Sequence, residues 1–518
     1  MFRRVLVANR GEIAVRVIRA IHELGAEAVA VFSEADRDAL HVRLADFAYP
    51  IGPPPAAQSY LNGAAILEAA RRGGAQAVHP GYGFLSENAD FARECEGAGL
   101  VFVGPTPEAL GLMGDKVAAR RLAAAAGVPT VPGTAEPVED AAALAAAGEI
   151  GFPLLIKAAA GGGGKGMRAV DQGDDLPAAL AQARREAQSS FGDGRVYLEK
   201  AVQRPRHVEV QLFGDGTGRV LHLGERDCSL QRRFQKVVEE APAPGLPDGV
   251  RTRLWEAAVA AAGAARYRGA GTIEFLYEPG SERFYFLEMN ARLQVEHPVT
   301  EMVAGVDLVQ AQLRLAAGAA LEGALGGAGE DSSRQRWHAV EARIMAEDPL
   351  NGWLPSTGTL ALVREPGGLG VRVDSACEPG QAVSVHYDPL LAKLICWGRS
   401  REEALARLRR ALDEYVLTGV RSSLPFHRWL VRQPDFLAGD VSTAYIGERW
   451  EPVATSMGDQ ADGAGTAAML EGDQIRAAAL VAASAVAERE RLASIGGARP
   501  QHGTGSRWRS AARKEAAG

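Results

Sequence analysis

Along the first part of the chain, short continuous hydrophobic runs alternate with apolar residues at wider, helical spacing. Arg4-Val5-Leu6-Val7-Ala8 reads as a strand and Asn9-Arg10-Gly11 as a turn. Ile13, Val17, Ile18 and Ile21 then fall on one face of a helix over 12–24, and a second strand follows over 28–32. This alternation predicts a parallel sheet with helices on both faces, a nucleotide-binding type of fold. No G-x-G-x-x-G follows the first strand, which argues against a dinucleotide site.

Further along, the short strand Ala77-Val78 runs into His79-Pro80-Gly81-Tyr82-Gly83-Phe84-Leu85-Ser86-Glu87-Asn88. Its glycines permit conformations closed to other residues, so Tyr82 and Glu87 either face a pocket or belong to a tight turn held by its own side chains. Met113-Gly114-Asp115-Lys116 opens an alanine-rich helix that stops near Gly127, with Asp115 placed to cap it. The apolar run 153–156 ends at Lys157, and Ala160-Gly161-Gly162-Gly163-Gly164-Lys165-Gly166-Met167 comes next. Bare N–H groups in such a stretch suit a loop that folds over phosphates, with Lys165 adding charge. It is not a G-x-x-x-x-G-K-[ST] loop, because neither Ser nor Thr follows Lys165.

Strands are expected over 196–200 and 207–212, the second alternating polar and apolar residues. Residues 224–240 are dense in charge of both signs, a composition that ordinarily marks a solvated face. The strand 270–276 bears Glu274, and a turn at Pro279-Gly280-Ser281 returns the chain through Phe284-Tyr285-Phe286-Leu287. An antiparallel hairpin there sets Glu274 across from Glu288.

The chain is organised around the stretch after this hairpin, Glu288-Met289-Asn290-Ala291-Arg292-Leu293-Gln294-Val295-Glu296-His297-Pro298. If the strand continues, Glu288, Asn290, Arg292, Gln294 and Glu296 share one face. Carboxylate and amide oxygens side by side suit a hard cation such as Mg²⁺. Arg292 and Gln294 are donors matched to a small oxyanion, and Glu296 is a carboxylate able to take a proton. The alternative is a solvated strand end with an ion-pair network.

Beyond 349 the pattern turns strand-rich, over 359–363, 371–373 and 383–387, and residues 388–396 lead to a helix over 401–412. After 450 the composition shifts to Ala, Gly and polar residues, with a linker over 456–465 and a weakly amphipathic helix over 474–492.

Composition narrows the classes. The chain has 518 residues, 47% hydrophobic and 23% charged, which fits a multidomain soluble protein. Its net charge of -7 argues against a nucleic-acid partner. The four cysteines, Cys95, Cys228, Cys377 and Cys396, lie far apart, as expected in a reducing cytoplasm without disulfides or zinc. Val5-Leu6-Val7-Ala8 is too short for a signal peptide, and no run is long enough to span a membrane.

Residues 1–450 resemble a biotin carboxylase of the ATP-grasp superfamily, the kind found in acetyl-, propionyl- and related acyl-CoA carboxylases. The resemblance rests on Ala8-Asn9-Arg10-Gly11-Glu12-Ile13-Ala14 and on residues 79–88, 113–116, 161–168, 225–244, 267–275 and 288–300, together with His338-Ala339-Val340-Glu341-Ala342-Arg343-Ile344 and Ala346-Glu347-Asp348-Pro349. It implies an α/β (α+β) ATP-grasp fold with a Rossmann-like N-terminal domain over 1–114, a central and lid domain over 115–204, a catalytic domain over 205–335, a C-terminal mixed-sheet subdomain over 336–450 and a tail over 451–518.

The implied activity is carboxylation of biotin by ATP and bicarbonate through carboxyphosphate, the first half-reaction of an acyl-CoA carboxylase. The resemblance assigns ATP to Lys116, Lys157, Gly163, Gly164, the backbone from Glu199 to Val202, His207 and Gln231. It assigns Mg²⁺ or Mn²⁺ to Glu274, Glu288 and Asn290. Bicarbonate falls to Lys236, Arg292, Gln294 and Val295, with Glu296 as its base. Arg343 matches the arginine that stabilises biotin's enolate-like ureido oxygen, and Tyr82 lies at the biotin pocket. Phe234 departs from the pattern, since relatives often carry a polar residue there.

A homodimer is implied, working with a biotin carboxyl carrier protein and a carboxyltransferase subunit. Biotin is expected on the separate carrier, because no Met-Lys-Met acceptor occurs and Lys514 is the tail's one lysine. The readings set against this one are another ATP-grasp carboxylate–amine ligase and a non-catalytic scaffolding subunit.

Overall fold

Val5, Leu6 and Val7 are buried in β1 (Arg4–Val7), which lies in a parallel five-stranded sheet with β2 (Glu27–Ser33), β3 (Phe47–Gly52), β4 (Ala77–His79) and β5 (Val101–Phe102). The protein is seen in a computed structural model that describes residues 1–134, 136–159, 167–327 and 337–451. The glycine-rich stretch with Gly163 and Gly164, and the tail with its expected linker and helix, lie outside the described residues.

The sheet order is β3-β2-β1-β4-β5, so the direction of winding reverses between β1 and β4. Loops leaving neighbouring strands at such a switch point diverge and leave a crevice. Here Asn9, just after β1, donates to the carbonyls of Pro80 and Tyr82 at 2.7 and 2.8 Å. Gly81 is needed at this clasp: its φ is +63°, and a Cβ there would lie 2.9 Å from Asn9 Nδ2. The clasp fixes where Tyr82 emerges. Ile13, Val17, Ile18 and Ile21 are buried along the helix Gly11–Glu23, as their spacing predicts.

A small antiparallel sheet, in the order β7-β6-β8, follows from β6 (Leu154–Ala158), β7 (Arg168–Val170) and β8 (Val196–Lys200). Leu154, Ile156 and Leu198 pack there against Leu180 of the helix Leu176–Phe191.

The site is built on an eight-stranded antiparallel sheet. Its first six strands are β9 (Arg206–Asp215), β10 (Val220–Arg232), β11 (Gln235–Ala241), β12 (Arg268–Glu278), β13 (Arg283–Asn290) and β14 (His338–Met345). They pair in the order β13-β12-β9-β10-β11-β14, and the strands Leu390–Gly398 and Val371–Ser375 complete the sheet. Strand alternation gives it two different faces. Val208, Val210 and Leu212 pack against Val250, Leu254 and Ala258 of the helix Asp248–Ala264. Val340, Ala342, Ile344 and Leu394 pack against Leu405, Leu408 and Leu412 of the helix Arg401–Glu414. The opposite face holds Glu209, Glu341, Arg343 and Lys393, all buried.

Two expectations change. The charged run 224–240 is not a solvated face: Glu225, Arg226, Asp227, Glu239 and Glu240 are buried, because β10 and β11 are interior strands of the sheet. The C-terminal strands, expected as a mixed sheet, pair antiparallel throughout the described residues. Residues 384–387 leave the strand Ala382–Val383, and the Tyr387 hydroxyl bonds instead to the Pro54 carbonyl at 2.6 Å and to Ser33 Oγ at 2.5 Å.

Candidate active site

β12 and β13 are joined by the expected turn, with Glu278 opposite Arg283, and their register sets Glu274 directly opposite Glu288. On its other side Glu274 lies opposite Glu209 of β9. Past Asn290 the chain does not stay extended. Residues 291–294 run irregularly with a bend at Arg292, Val295 and Glu296 form a turn, and Glu296, at φ -81° and ψ 10°, leads into the helix His297–Ala304. Arg292, Gln294 and Glu296 therefore reach the site through this loop and not by strand alternation. Arg292 folds back, its Nη2 donating to Asn290 Oδ1 at 3.0 Å and its Nε to Glu87 Oε2 at 2.9 Å.

At the centre Lys236 Nζ lies 2.5 Å from Glu209 Oε2, 2.8 Å from Glu274 Oε1 and 2.6 Å from Glu296 Oε1. Arg343 Nη2 donates to the other oxygen of Glu296 at 2.9 Å. Burial alone pushes the Glu296 carboxyl up, but the charges of Lys236, Arg343 and Arg226 outweigh it and hold it well below the usual carboxylate range. Burial likewise pushes Lys236 down, and its three carboxylates together drive it well above an ordinary lysine. Glu274 is held well below its usual range against its burial by Lys236 and His207, whose Nε2 is 3.1 Å away. His207 is in turn raised, its burial outweighed by Glu274. The result is two carboxylates, Glu274 and Glu296, held ionised beside one ammonium.

Glu274, Glu288 and Asn290 offer an oxygen donor set at the edge of this cluster, which suits Mg²⁺ and equally other hard divalent cations. Asn290 Nδ2 donates to Glu274 Oε1 at 2.8 Å, which turns the amide so that its oxygen faces Arg292. His207, Glu209 and Glu274 also converge closely enough to share an ion. Lys116 begins the helix Lys116–Ala125, capped by Asp115 Oδ1 as expected, and its Nζ lies 3.4 Å from Glu288 Oε2.

These groups line a cavity of about 780 Å³, with Lys116, His207, Lys236, Glu288, Gln294 and Arg343 among its walls. Phe234 also faces it, 58% exposed at the β10–β11 turn, where Arg233 and Phe234 have φ of 50° and 67°. A second cavity of about 330 Å³ is lined by Tyr82, Phe84 and Tyr387, and it shares Arg292, Val295 and Arg343 with the first. The Tyr82 hydroxyl donates to Glu12, which also pairs with Lys393 at 3.2 Å.

Lys157, Glu199, Val202 and Gln231 do not line the larger cavity. Lys157 is buried against Glu199 in the small sheet, and Gln231 donates to His207 Nδ1 at 2.8 Å, so it reaches the site through that ring. Glu87, offered by the sequence as either pocket-facing or part of a tight turn, lines the larger cavity, whereas sequence reasoning missed Glu209 and Arg226. The polar–apolar alternation of β9 marks Glu209 as facing away from Val208 and Val210, but nothing in it says that this face is covered.

Residues 1–110 match the model of the biotin carboxylase N-terminal domain, residues 115–324 that of the carbamoyl-phosphate synthase L chain ATP-binding domain, and residues 341–448 that of the biotin carboxylase C-terminal domain. Biotin carboxylase 1 of Bacillus subtilis (strain 168) is 49% identical over 449 residues, covering 86% of this chain and 98% of that one. The Campylobacter jejuni biotin carboxylase–βγ-ATP complex superposes with a TM-score of 0.83 at 45% identity, over 87% of this chain and 99% of that one. The biotin carboxylase domain dimer of Hydrogenobacter thermophilus 2-oxoglutarate carboxylase, solved with MgADP, ADP and bicarbonate, gives 0.82 at 45% identity, over 86% of this chain and 98% of that one.

Proposed function

The chain belongs to the biotin carboxylase family, and we propose that its larger cavity is where bicarbonate is activated by ATP and its smaller one where biotin takes up the carboxyl group. It is an ATP-grasp ligase that carboxylates biotin. The observation behind the site assignment is Glu296: a buried, ionised carboxylate in the wall of the larger cavity, held between Lys236 and the Arg343 that both cavities share.

Bicarbonate is a poor electrophile until an oxygen is phosphorylated. Arg292, Gln294, the Val295 backbone and Lys236 hold the anion, and Glu296 takes its proton. Paired as it is with Lys236, Glu296 is ionised but weakly basic. An anion that draws Lys236 and Arg292 toward itself relieves that pairing and raises the basicity when it is needed. Lys116, Lys157, Gly163, Gly164, His207, Gln231 and the segment from Glu199 to Val202 hold the nucleotide, a reading supported by the nucleotide complexes of the two relatives. Glu274, Glu288 and Asn290 would hold Mg²⁺ or Mn²⁺, which would supply neutralisation of charge on the phosphate oxygens. Arg343, reachable from both cavities, stabilises the ureido oxygen of biotin beside Tyr82.

The wider setting belongs to the same proposal: a cytoplasmic homodimer that loads a biotin carboxyl carrier protein and passes the carboxyl group to a carboxyltransferase subunit acting on an acyl-CoA. A dimeric relative supports the first part, and four buried free thiols suit the compartment. Among the described residues no helix is long and apolar enough to cross a membrane. Co-purification of the carboxyltransferase tests the acceptor.

Phosphate release by the purified chain, with and without bicarbonate and free biotin, tests the reaction. Turnover must depend on bicarbonate and yield carboxybiotin. Cleavage stimulated by an amine in place of bicarbonate would instead identify a carboxylate–amine ligase.

A further inference from the structure

Behind Arg343 two glutamates face one another across adjacent strands. Glu239 on β11 stands directly opposite Glu341 on β14, and both are fully buried. Cross-strand neighbours have Cβ atoms about 5 Å apart, so their carboxyl groups are within reach of each other. Glu239 Oε1 accepts from Arg343 Nε at 2.6 Å, while Glu239 Oε2 and both oxygens of Glu341 have no hydrogen-bond partner among the described residues. Ionised carboxylates are acceptors only, and cannot satisfy each other.

The cations facing the pair are committed elsewhere. Lys393 Nζ is held by the Val295 carbonyl at 3.0 Å and by Glu12 at 3.2 Å. Lys236 is held by Glu209, Glu274 and Glu296. From the helix packed over this face, burial holds the His297 imidazole down to about 3, so it is neutral, and its Nδ1 meets the Gln294 carbonyl at 2.8 Å.

We propose that Glu341 is kept as a neutral carboxylic acid that donates its proton to Glu239 Oε2, leaving a single negative charge, on Glu239, to hold Arg343 in place. Burial and the charge of Glu239 push the Glu341 carboxyl well above the usual range, and burial raises Glu239 too, against the pull of Arg343, consistent with one proton held by the pair. Glu341 is thus a positioning residue. It touches no substrate, but it fixes the glutamate that fixes the guanidinium shared by the two cavities. The proton itself does not depend on the biotin assignment of Arg343; only the effect on carboxylation rests on that reading.

The infrared spectrum of the intact enzyme at neutral pH tests the proton, and kinetics test the consequence. The difference between wild type and Glu341→Gln is expected to contain the carbonyl stretch of an un-ionised carboxylic acid, shifted in D₂O. Glutamine keeps a donor toward Glu239, so Glu341→Gln is expected to stay within about threefold of wild type. Glu341→Leu, which removes the donor, lowers kcat/KM for biotin about tenfold, the size of one lost hydrogen bond to a charged group. Absence of the acid band, or its persistence unchanged in Glu341→Gln, overturns the shared proton. Equal kinetics for the Gln and Leu variants, with the band confirmed, overturn the positioning role; loss of carboxylation in wild type itself would count against the family function and not against the proton.

Discussion

Arg226 Nη2 donates to Gln294 Oε1 at 2.7 Å, which leaves the Gln294 amide nitrogen to donate to Glu274 Oε1 at 2.9 Å. A side chain assigned to the anion site is thereby oriented by an arginine with no exposed surface. The same guanidinium binds Glu209 Oε1 at 2.6 Å, and Glu209 is one of the three carboxylates that hold Lys236. Arg226 is the strut from which both the amide and the ammonium of the site hang.

Replacing it is expected to cost the fold as well as the activity. Arg226→Met strips donors from Glu209, Gln211, Thr272, Gln294 and Thr300 and leaves a buried carboxylate short of a counter-charge. Breaking a buried pair in this way costs about 3–5 kcal/mol. Arg226→Lys restores the charge but not the planar fork, so it should recover only part of the loss. Thermal unfolding of the two variants beside wild type checks this. An Arg226→Met protein as stable as wild type would show that the network is ornamental.

The hairpin that pairs Glu274 with Glu288 was legible because its turn residues and aromatic strand are local signals, and so were the Asp115 cap and the buried face of the helix Gly11–Glu23. The burial of residues 224–240 was not. Charge density is the same whether a strand edges a sheet or sits inside it, and only pairing of β10 and β11 with distant strands decides between the two. The path past Asn290 was illegible for the same reason. What bends it is contact with Glu87, which receives the Ala291 N–H at 3.0 Å and Arg292 Nε at 2.9 Å from a segment far off in sequence. Strand alternation named the right side chains there and the wrong geometry.

Glu301 ties the helix His297–Ala304 to Arg16 at 2.9 Å and Arg372 at 2.7 Å. Burial pushes its carboxyl up, but the two arginines bring it down from 4.5 to about 2. A group depressed on folding adds stability above its unfolded pKa and loses it as the pH falls through the folded one. Its contribution, on the order of 3 kcal/mol at neutral pH, should therefore fade between about pH 5 and 2. Denaturant titrations of wild type and Glu301→Gln across that window are expected to converge toward the acid end. A gap independent of pH would mean that Glu301 is not ionised in the fold.

Glu288 is part-exposed at the cavity wall, paired with Lys116, and packs no core. Glu288→Gln should accordingly weaken Mg²⁺-dependent turnover about a hundredfold while shifting the unfolding midpoint little, and Asn290→Ala, which also gives up hydrogen bonds to Glu274 and Arg292, should lose far more turnover than stability. Rates measured against Mg²⁺ at fixed ATP, and the stabilisation of each variant by MgADP, separate the two effects. Unchanged rates at limiting Mg²⁺ in a folded variant would remove these residues from the metal site.

Glu296 and Arg343 touch each other at 2.9 Å and yet should fail differently when replaced. Glu296→Gln removes the carboxylate proposed to take the bicarbonate proton while keeping the shape of the site. Lys236 retains Glu209 and Glu274 as partners, so the fold should hold. Bicarbonate-dependent ATP cleavage is expected to fall at least about a hundredfold, the usual size of a lost general base. Arg343→Ala leaves that base in place, and with Lys236 still beside it Glu296 stays ionised. Part of the bicarbonate-dependent cleavage should survive, while carboxybiotin formation falls well below it, because the guanidinium facing the second cavity is gone. Measuring phosphate release and labelled carboxybiotin on the same samples gives the ratio directly. If the two variants lose both products in equal proportion, proton removal and carboxyl transfer are not divided between these two residues.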